Sequence, residues 1–192
     1  LVVKYGVTTG LSEALASELV RSQTSIPVPR VLAYYSDSES RIPYKIGYIV
    51  MEKVEGVMLN SILEMLDDAA IESITSQLGE YLSEMKKLDR PGEWGMSPFH
   101  ANSRTSNPLR ARCCRDFVEH FAQLVDRSMN EKWAASTRAI VDSFNNDLPS
   151  SFCHPDLIPE NIMVDKRTNR ITAIIDWQGA GWYPYFFQSW VA

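Results

Sequence analysis

Little in this 192-residue chain points to an oxidising compartment, a membrane or a nucleic acid. Its three cysteines, Cys113, Cys114 and Cys153, are odd in number with two adjacent. That pattern builds no disulfide framework and reads as a chain from a reducing, cytoplasmic setting. No apolar run reaches the ~18 residues expected of a membrane span. There is no Asn-x-Ser/Thr acceptor and no signal-peptide pattern. Basic residues are outnumbered, 19 Lys and Arg against 24 Asp and Glu, for a net charge of −5. That balance speaks against the basic face on which nucleic-acid binding depends. Internal repeats and low-complexity tracts are absent too.

What is present is 45% hydrophobic and 10% aromatic residues, enough for one core or two small lobes sharing an interface. The first residues, "LVVKYG", are β-branched and lack an initiator Met, and the last, "FFQSWVA", are apolar. Both ends suggest a fragment of a longer fold, or a short gene model.

Leu1 to Tyr5 reads as a strand and Gly6 to Gly10 as a loop. Ser12 reads as the N-cap of an amphipathic helix from Glu13 to about Ser22, with Leu15, Leu19 and Val20 on one side. "TSIPVPRVLAYYSD" carries two prolines and is extended, entering a strand near Val31 to Tyr35. "SDSESRIPYK" is a polar turn, and "IGYIVMEKV" a buried strand. Leu59 to Leu66 and Ile71 to Leu88 show helical spacing, the second through Ile71, Ile74, Leu78, Tyr81, Leu82 and Met85. A loop of about twenty residues follows, then helices near Leu109–Met129 and Glu131–Asn146. "ENIMVDKRTNRITAIID" closes the pattern as a β-hairpin turning at Lys166–Arg170. The order gives an α+β chain: a small mixed lobe, then a mainly helical lobe with a late hairpin.

The stretch "FCHPDLIPEN" carries the chemistry. Phosphoryl transfer needs a carboxylate to orient the attacking hydroxyl, oxygen ligands for Mg²⁺ and a cation on the phosphates. Asp156, in a loop, can supply the base. Asn161 and Asp176, at the start and just past the end of the hairpin, can converge as hard oxygen ligands on one metal. His154 is then structural, holding the loop by hydrogen bonds. His154, Asp156, Leu157 and Asn161 match the protein-kinase pattern H-R-D-L-x-x-x-N at every position but the second. At the front, Lys4 can reach the phosphates from its strand, and Glu13 on the next helix can hold it as an ion pair. Cys113, Cys114 and His120 lack the spacing of a zinc site and read as helix packing. Trp177, Trp182, Tyr183 and Phe186 read as aromatic core.

Together "VVKYG", "TSIPVPRVLA", "YIVMEKVEG", "FCHPDLIPENIMVD" and "ITAIIDWQGAGWYPYF" resemble the aminoglycoside phosphotransferase family, especially its fungal branch, whose relatives include choline and ethanolamine kinases. The resemblance runs from about residue 1 to 188. It implies a bilobal protein-kinase-like fold, with residues 1–55 a partial nucleotide-binding lobe and 56–192 a helical lobe carrying the catalytic loop and metal-binding hairpin. It also implies ATP and Mg²⁺ as cofactors, a small-molecule hydroxyl as acceptor, and a monomer. Under it Lys4 is the phosphate-binding lysine and Glu13 its partner. Glu52, Lys53 and Val54 meet adenine through their backbone, beside Met51. Asp156 is the base, and Asn161 and Asp176 the metal ligands.

The chain departs from the family at Pro155, where glycine is usual, and at Tyr185 and Gln188, where acidic residues are usual. It has no strand pair ahead of Lys4 to carry a phosphate-covering loop. Those departures keep open a second reading, a kinase-like binding module without turnover. A protein kinase is the third, with no Asp-Phe-Gly and no Ala-Pro-Glu to support it.

Overall fold

A computed structural model describes residues 1–37, 45–89 and 148–191, with isolated positions between 119 and 143. The polar turn at 38–44, the long loop from 90 and most of the two helices expected between 109 and 146 lie outside the described residues, as do Cys113, Cys114 and His120.

The first lobe is an antiparallel sheet of β1 (Val2–Gly6), β2 (Val31–Asp37) and β3 (Ile46–Met51) in the order β1-β3-β2. Its central strand, "IGYIVM", is β-branched and aromatic, as suits a strand paired on both edges. Gly47 and Ile49 are its buried positions. Lys4 sits opposite Ile49 and Gly6 opposite Gly47. Gly47 is required there, because a Cβ would run into the carbonyl of Thr9. The chain between β1 and the first helix therefore lies directly against β3.

That helix, α1, spans Leu11–Gln23 and is capped by Gly10, without a side-chain hydrogen bond. Ser12 is thus inside the helix rather than its cap. The buried face keeps Val20 of the expected stripe, with Leu19 packed partly against the core, but not Leu15. It consists of Glu13, Ala14, Ala16, Ser17 and Val20, while Leu15 is 46% exposed. Small side chains let the helix approach the sheet, and that approach carries Glu13 inward. Thr24 ends the helix by returning its N–H and its Oγ1 to the Val20 carbonyl, at 3.0 and 2.6 Å. Pro27 and Pro29 then hold the chain extended, and the Ile174 N–H donates to the Pro27 carbonyl at 2.8 Å.

In the second lobe, β4 (Val57–Met58) pairs with the hairpin of β6 (Ile162–Asp165) and β7 (Arg170–Ile174), in the order β4-β6-β7. The hairpin turn is built from Asp165, whose Oδ1 accepts from the Arg167 N–H at 2.7 Å, and from Asn169 at φ 55°. Residues 59–65 form two short 3₁₀ turns, Leu59–Ser61 and Leu63–Met65, rather than the expected α-helix. Ile62, at φ −128° and ψ 1°, interrupts the helical path while burying its side chain. Packing of that one residue overrides the helical spacing around it.

α2 (Asp68–Met85) begins at an Asp67 cap, which accepts from the Ala70 N–H at 2.8 Å. It buries Ile74 and Met85 and leaves Ile71 at 45% exposure. Gln77 fastens α2 to the hairpin, donating to the Asn169 carbonyl at 2.9 Å and accepting from the Ile171 N–H at 3.0 Å. A second antiparallel pair, β5 (Ser150–Cys153) with β8 (Gly181–Pro184), leads into the short helix α3 (Phe187–Val191). The core runs continuously from Val20 and Ile26 through Ile74, Val164 and Ile174 to Phe152, Trp177 and Trp182. Phe152 meets Trp182 edge-on at 4.9 Å. No helix among the described residues is long and apolar enough to cross a membrane.

Candidate active site

Three chain segments converge at Lys4. β1 brings Lys4, α1 brings Glu13, and the segment after β7 brings Asp176. The Lys4 Nζ lies 2.8 Å from Glu13 Oε1 and 2.6 Å from Asp176 Oδ1. One ammonium thus holds two carboxylates, one of them 172 residues distant in sequence. Burial pulls the Lys4 pKa down, but hydrogen bonds and charge from Asp176 and Glu13 outweigh it and hold the amine above its ordinary value. For Glu13 the balance reverses. Burial raises its carboxyl above the usual range, and Lys4 offsets this only in part. Glu13 Oε2 is buried and has no hydrogen-bond partner.

Asp176 stands at φ 60°, in the left-handed region that non-glycine residues seldom occupy. Gly179 follows at φ 80°, and a Cβ there would come within 3.0 Å of Pro155 Cγ. This tight turn brings the segment after β7 against the loop after β5.

The loop after β5 is organised by His154, which is fully buried. The Asp156 N–H donates to His154 Nδ1 at 3.2 Å, so that nitrogen must be the acceptor. Nε2 therefore carries the proton and donates to the Ile175 carbonyl at 3.0 Å. Burial keeps the imidazole below its ordinary pKa, and so neutral, against the opposing pull of the Ile175 carbonyl and of Asp176 and Asp156. The ring packs edge-on to Trp177 at 4.7 Å. One histidine joins the Asp156 loop to the base of Asp176.

Asn161, at the end of a 3₁₀ turn over Pro159–Asn161, completes the arrangement. Its Nδ2 donates to the Asp156 carbonyl at 2.8 Å and to Asp156 Oδ2 at 2.9 Å. Its own carbonyl accepts from the Ile175 N–H at 2.9 Å. With the amide nitrogen committed to Asp156, the amide oxygen is the atom left for a cation. Among the described residues no group of three or more His, Cys, Asp or Glu side chains forms a metal cage. One carboxylate and one amide oxygen make the sparse donor set that Mg²⁺ accepts when phosphate oxygens and water complete its shell. The residues fit that ion.

The structure thus brings together Lys4, Glu13, His154, Asp156, Asn161 and Asp176. Met51 ends β3, and Glu52, Lys53 and Val54 continue from it into the second lobe. The Glu52 N–H is spent on the Arg30 carbonyl at 3.0 Å. Trp177, Trp182 and Tyr183 are buried, as core residues should be, while Phe186 is half-buried against Tyr185. One contributor escaped the sequence: Gln188, whose side chain bonds both backbone groups of His154. The signal was a glutamine following two phenylalanines in "FFQSWV".

An α+β fold of two lobes, with a charged cluster where they meet and a His-x-Asp loop beneath it, is the architecture of kinase-like phosphotransferases. The sequence profile described as the phosphotransferase enzyme family matches residues 10–191, and the chain belongs to that family, the aminoglycoside phosphotransferase group. Lys4 lies just ahead of the matched stretch. Solved structures share the fold. A thermostable mutant of aminoglycoside phosphotransferase APH(4)-Ia, in ternary complex with ADP and hygromycin B, superposes with a TM-score of 0.65 at 18% identity, over 97% of this chain and 61% of that one. Aminoglycoside-3'-phosphotransferase of type VIII gives 0.58 at 20% identity, over 99% and 67%. APH(3'')-Id from Streptomyces rimosus, in complex with ADP and streptomycin, gives 0.54 at 14%, over 98% and 68%. The chain therefore spans about three fifths of the length of the first of these relatives. No curated protein sequence matches it.

Proposed function

We propose that this chain carries the site of an ATP- and Mg²⁺-dependent phosphotransferase that moves the γ-phosphate to a hydroxyl of a small molecule. The observation that carries the reading is the contact of Lys4 with Asp176 at 2.6 Å, made by residues from opposite ends of the chain and from different lobes. A structural ion pair needs no second carboxylate, no left-handed aspartate and no neighbouring Asp–Asn pair; a phosphate site uses all three.

Each residue then has a task. Lys4, kept protonated by its two carboxylates, binds phosphate oxygens, and Glu13 orients it. Glu52, Lys53 and Val54 offer backbone groups to adenine beside Met51. Because the Glu52 N–H is already paired, its carbonyl and the peptide groups of residues 53 and 54 are the ones available. Asp156, held on one carboxylate oxygen by Asn161, orients the acceptor hydroxyl and takes its proton. Asn161 and Asp176 would hold Mg²⁺, which when bound neutralises charge developing on the transferred phosphoryl group. His154 stays neutral and structural. On this reading residues 1–55 and 56–192 are the nucleotide lobe and the acceptor lobe of one domain. The fungal branch of the family, a cytoplasmic setting and a monomer remain parts of the proposal.

The test is ADP release with ATP, Mg²⁺ and a panel of aminoglycosides and other small alcohols. Asp156→Ala should lower turnover roughly 10²- to 10⁴-fold while the protein stays folded. Unchanged turnover would remove Asp156 as the base. A second reading, a kinase-like module that binds without turnover, draws on Pro155. Nucleotide titration with and without Mg²⁺ separates the two. Metal-enhanced binding with slow hydrolysis favours the enzyme, and metal-independent binding the module. A protein kinase would instead phosphorylate generic polypeptides in an Asp156-dependent way.

A further inference from the structure

Gln188, in α3, is 6% exposed, and both ends of its carboxamide serve a single residue. The His154 N–H donates to Gln188 Oε1 at 2.8 Å, and Gln188 Nε2 donates to the His154 carbonyl at 2.9 Å. Such a two-point exchange is what a neighbouring strand would offer, here supplied by one side chain. α3 is held in place for this by Phe187, which stacks on Tyr183 of β8 at 4.3 Å.

The residue after His154 explains why an amide is needed. Pro155 has no N–H, and its ring drives the preceding residue out of the helical region into extended backbone. Extended backbone turns the N–H and C=O of one residue to the same side. A carboxamide is complementary to that donor and acceptor. A carboxylate is not: one oxygen would meet the N–H, but the other would face the His154 carbonyl with its charge buried.

We propose that Pro155 and Gln188 are a matched pair. Pro155 makes the loop present one donor and one acceptor, and Gln188 reads both, so that it is the positioning residue of the His154–Asp156 loop. Through His154 the pairing fixes the Asp156 N–H and the Ile175 carbonyl, and hence the separation of Asp156 from Asp176. The phosphotransferase reading bears only on what the loop is for; the matching itself does not depend on turnover.

The experiment is a double-mutant cycle of Gln188→Glu and Pro155→Gly, with urea unfolding measured from pH 5 to 8.5. The ionisable groups around position 188 are Cys153, which the Gln188 backbone also contacts, then His154, Asp156 and Tyr183, with Lys86 acting on Cys153 from the end of α2. All are common to the four proteins and cancel in the cycle. At pH 8, Gln188→Glu should shift the unfolding equilibrium against the folded state by roughly 10- to 100-fold. The loss should shrink as pH falls, because a protonated carboxyl again has one donor and one acceptor. In the Pro155→Gly background the 154–155 peptide is free to turn a second N–H toward the carboxylate, and the loss should fall to about threefold or less. A loss independent of pH, or equal in both backgrounds, overturns the pairing. If Gln188→Glu does not fold at pH 8, folding of the double variant supports the proposal and its failure to fold overturns it. Gln188→Met is the control, and its loss should be the same at every pH and unrelieved by Pro155→Gly. A parent protein without phosphotransfer would sink the proposed function and leave this cycle unaffected.

Discussion

The β1-β3-β2 sheet and the second lobe, linked through Lys4 and Asp176, are built in opposite ways. In the first, Val2, Val3 and Tyr5 of β1 and Leu32 and Tyr35 of β2 are 42–71% exposed, and Ile49 on the central strand carries most of the burial. In the second lobe Val164, Ala173 and Ile174 are completely buried, with Trp177 at 1% and His154 at 0% behind them. Lys4 therefore stands on a thin layer, and Asp156, Asn161 and Asp176 on a deep one. Close packing on the deep side fixes the separations of Asp156, Asn161 and Asp176.

The largest test of that contrast is a pair of truncations. Trp177→Ala should cost about 3–5 kcal/mol of stability, as expected for emptying a buried aromatic site. Tyr5→Ala, on the exposed face of β1, should stay within about 0.5 kcal/mol. Equal effects in denaturant titrations would erase the distinction between the lobes. Next in size is the link between them. Lys4→Met leaves Glu13 buried and unpaired beside its already orphaned Oε2, and should cost about 2 kcal/mol. Adding Glu13→Leu should recover most of that loss, and an additive double variant would show that the pair is not coupled.

A third change strikes the shallow sheet at its one crowded point. Gly47→Ala forces a methyl into the Thr9 carbonyl and should cost about 1–3 kcal/mol, checked by thermal unfolding. It should also weaken nucleotide binding, since the 6–10 segment sets the position of α1 and Glu13. The smallest effect sharpens the deep side by pH. His154 has a folded pKa below its unfolded value near 6.5, so the folded state binds fewer protons. Its contribution is fully present above the unfolded pKa and is lost as pH falls below about 6.5. Glu13, with a raised folded pKa, acts in the reverse sense at lower pH, relieving a cost as it protonates. Unfolding of the parent against His154→Gln, from pH 7.5 to 5, should show a steeper acid loss in the parent; parallel curves would mean that the imidazole is not buried neutral.

Much of the site was legible because it lies in contiguous motifs. His154, Asp156 and Asn161 share one loop, and "IMVDKRTNRITAIID" alternates and turns as a hairpin must. Other features were misread where local pattern and packing disagree. Leu15 suggested the inward face of α1, but the helix leaves it exposed and turns Ala14, Ala16 and Ser17 inward beside Val20. Residues 59–66 have helical spacing, but Ile62 reaches its buried place by leaving the helical path. Gln188 was visible as a departure, yet a polar residue between aromatics carries no sign of its partner 34 residues away.

The sequence alone determined the three strands of the first lobe, the hairpin and the residue types gathered in the candidate site, because these follow from side-chain period and turn residues. Only the tertiary structure decided which lysine meets which aspartate, which nitrogen of His154 holds the proton, and why a glutamine suits a loop containing Pro155. Those are distances between segments as far as 172 residues apart, and they are fixed by packing rather than by any local preference of the chain.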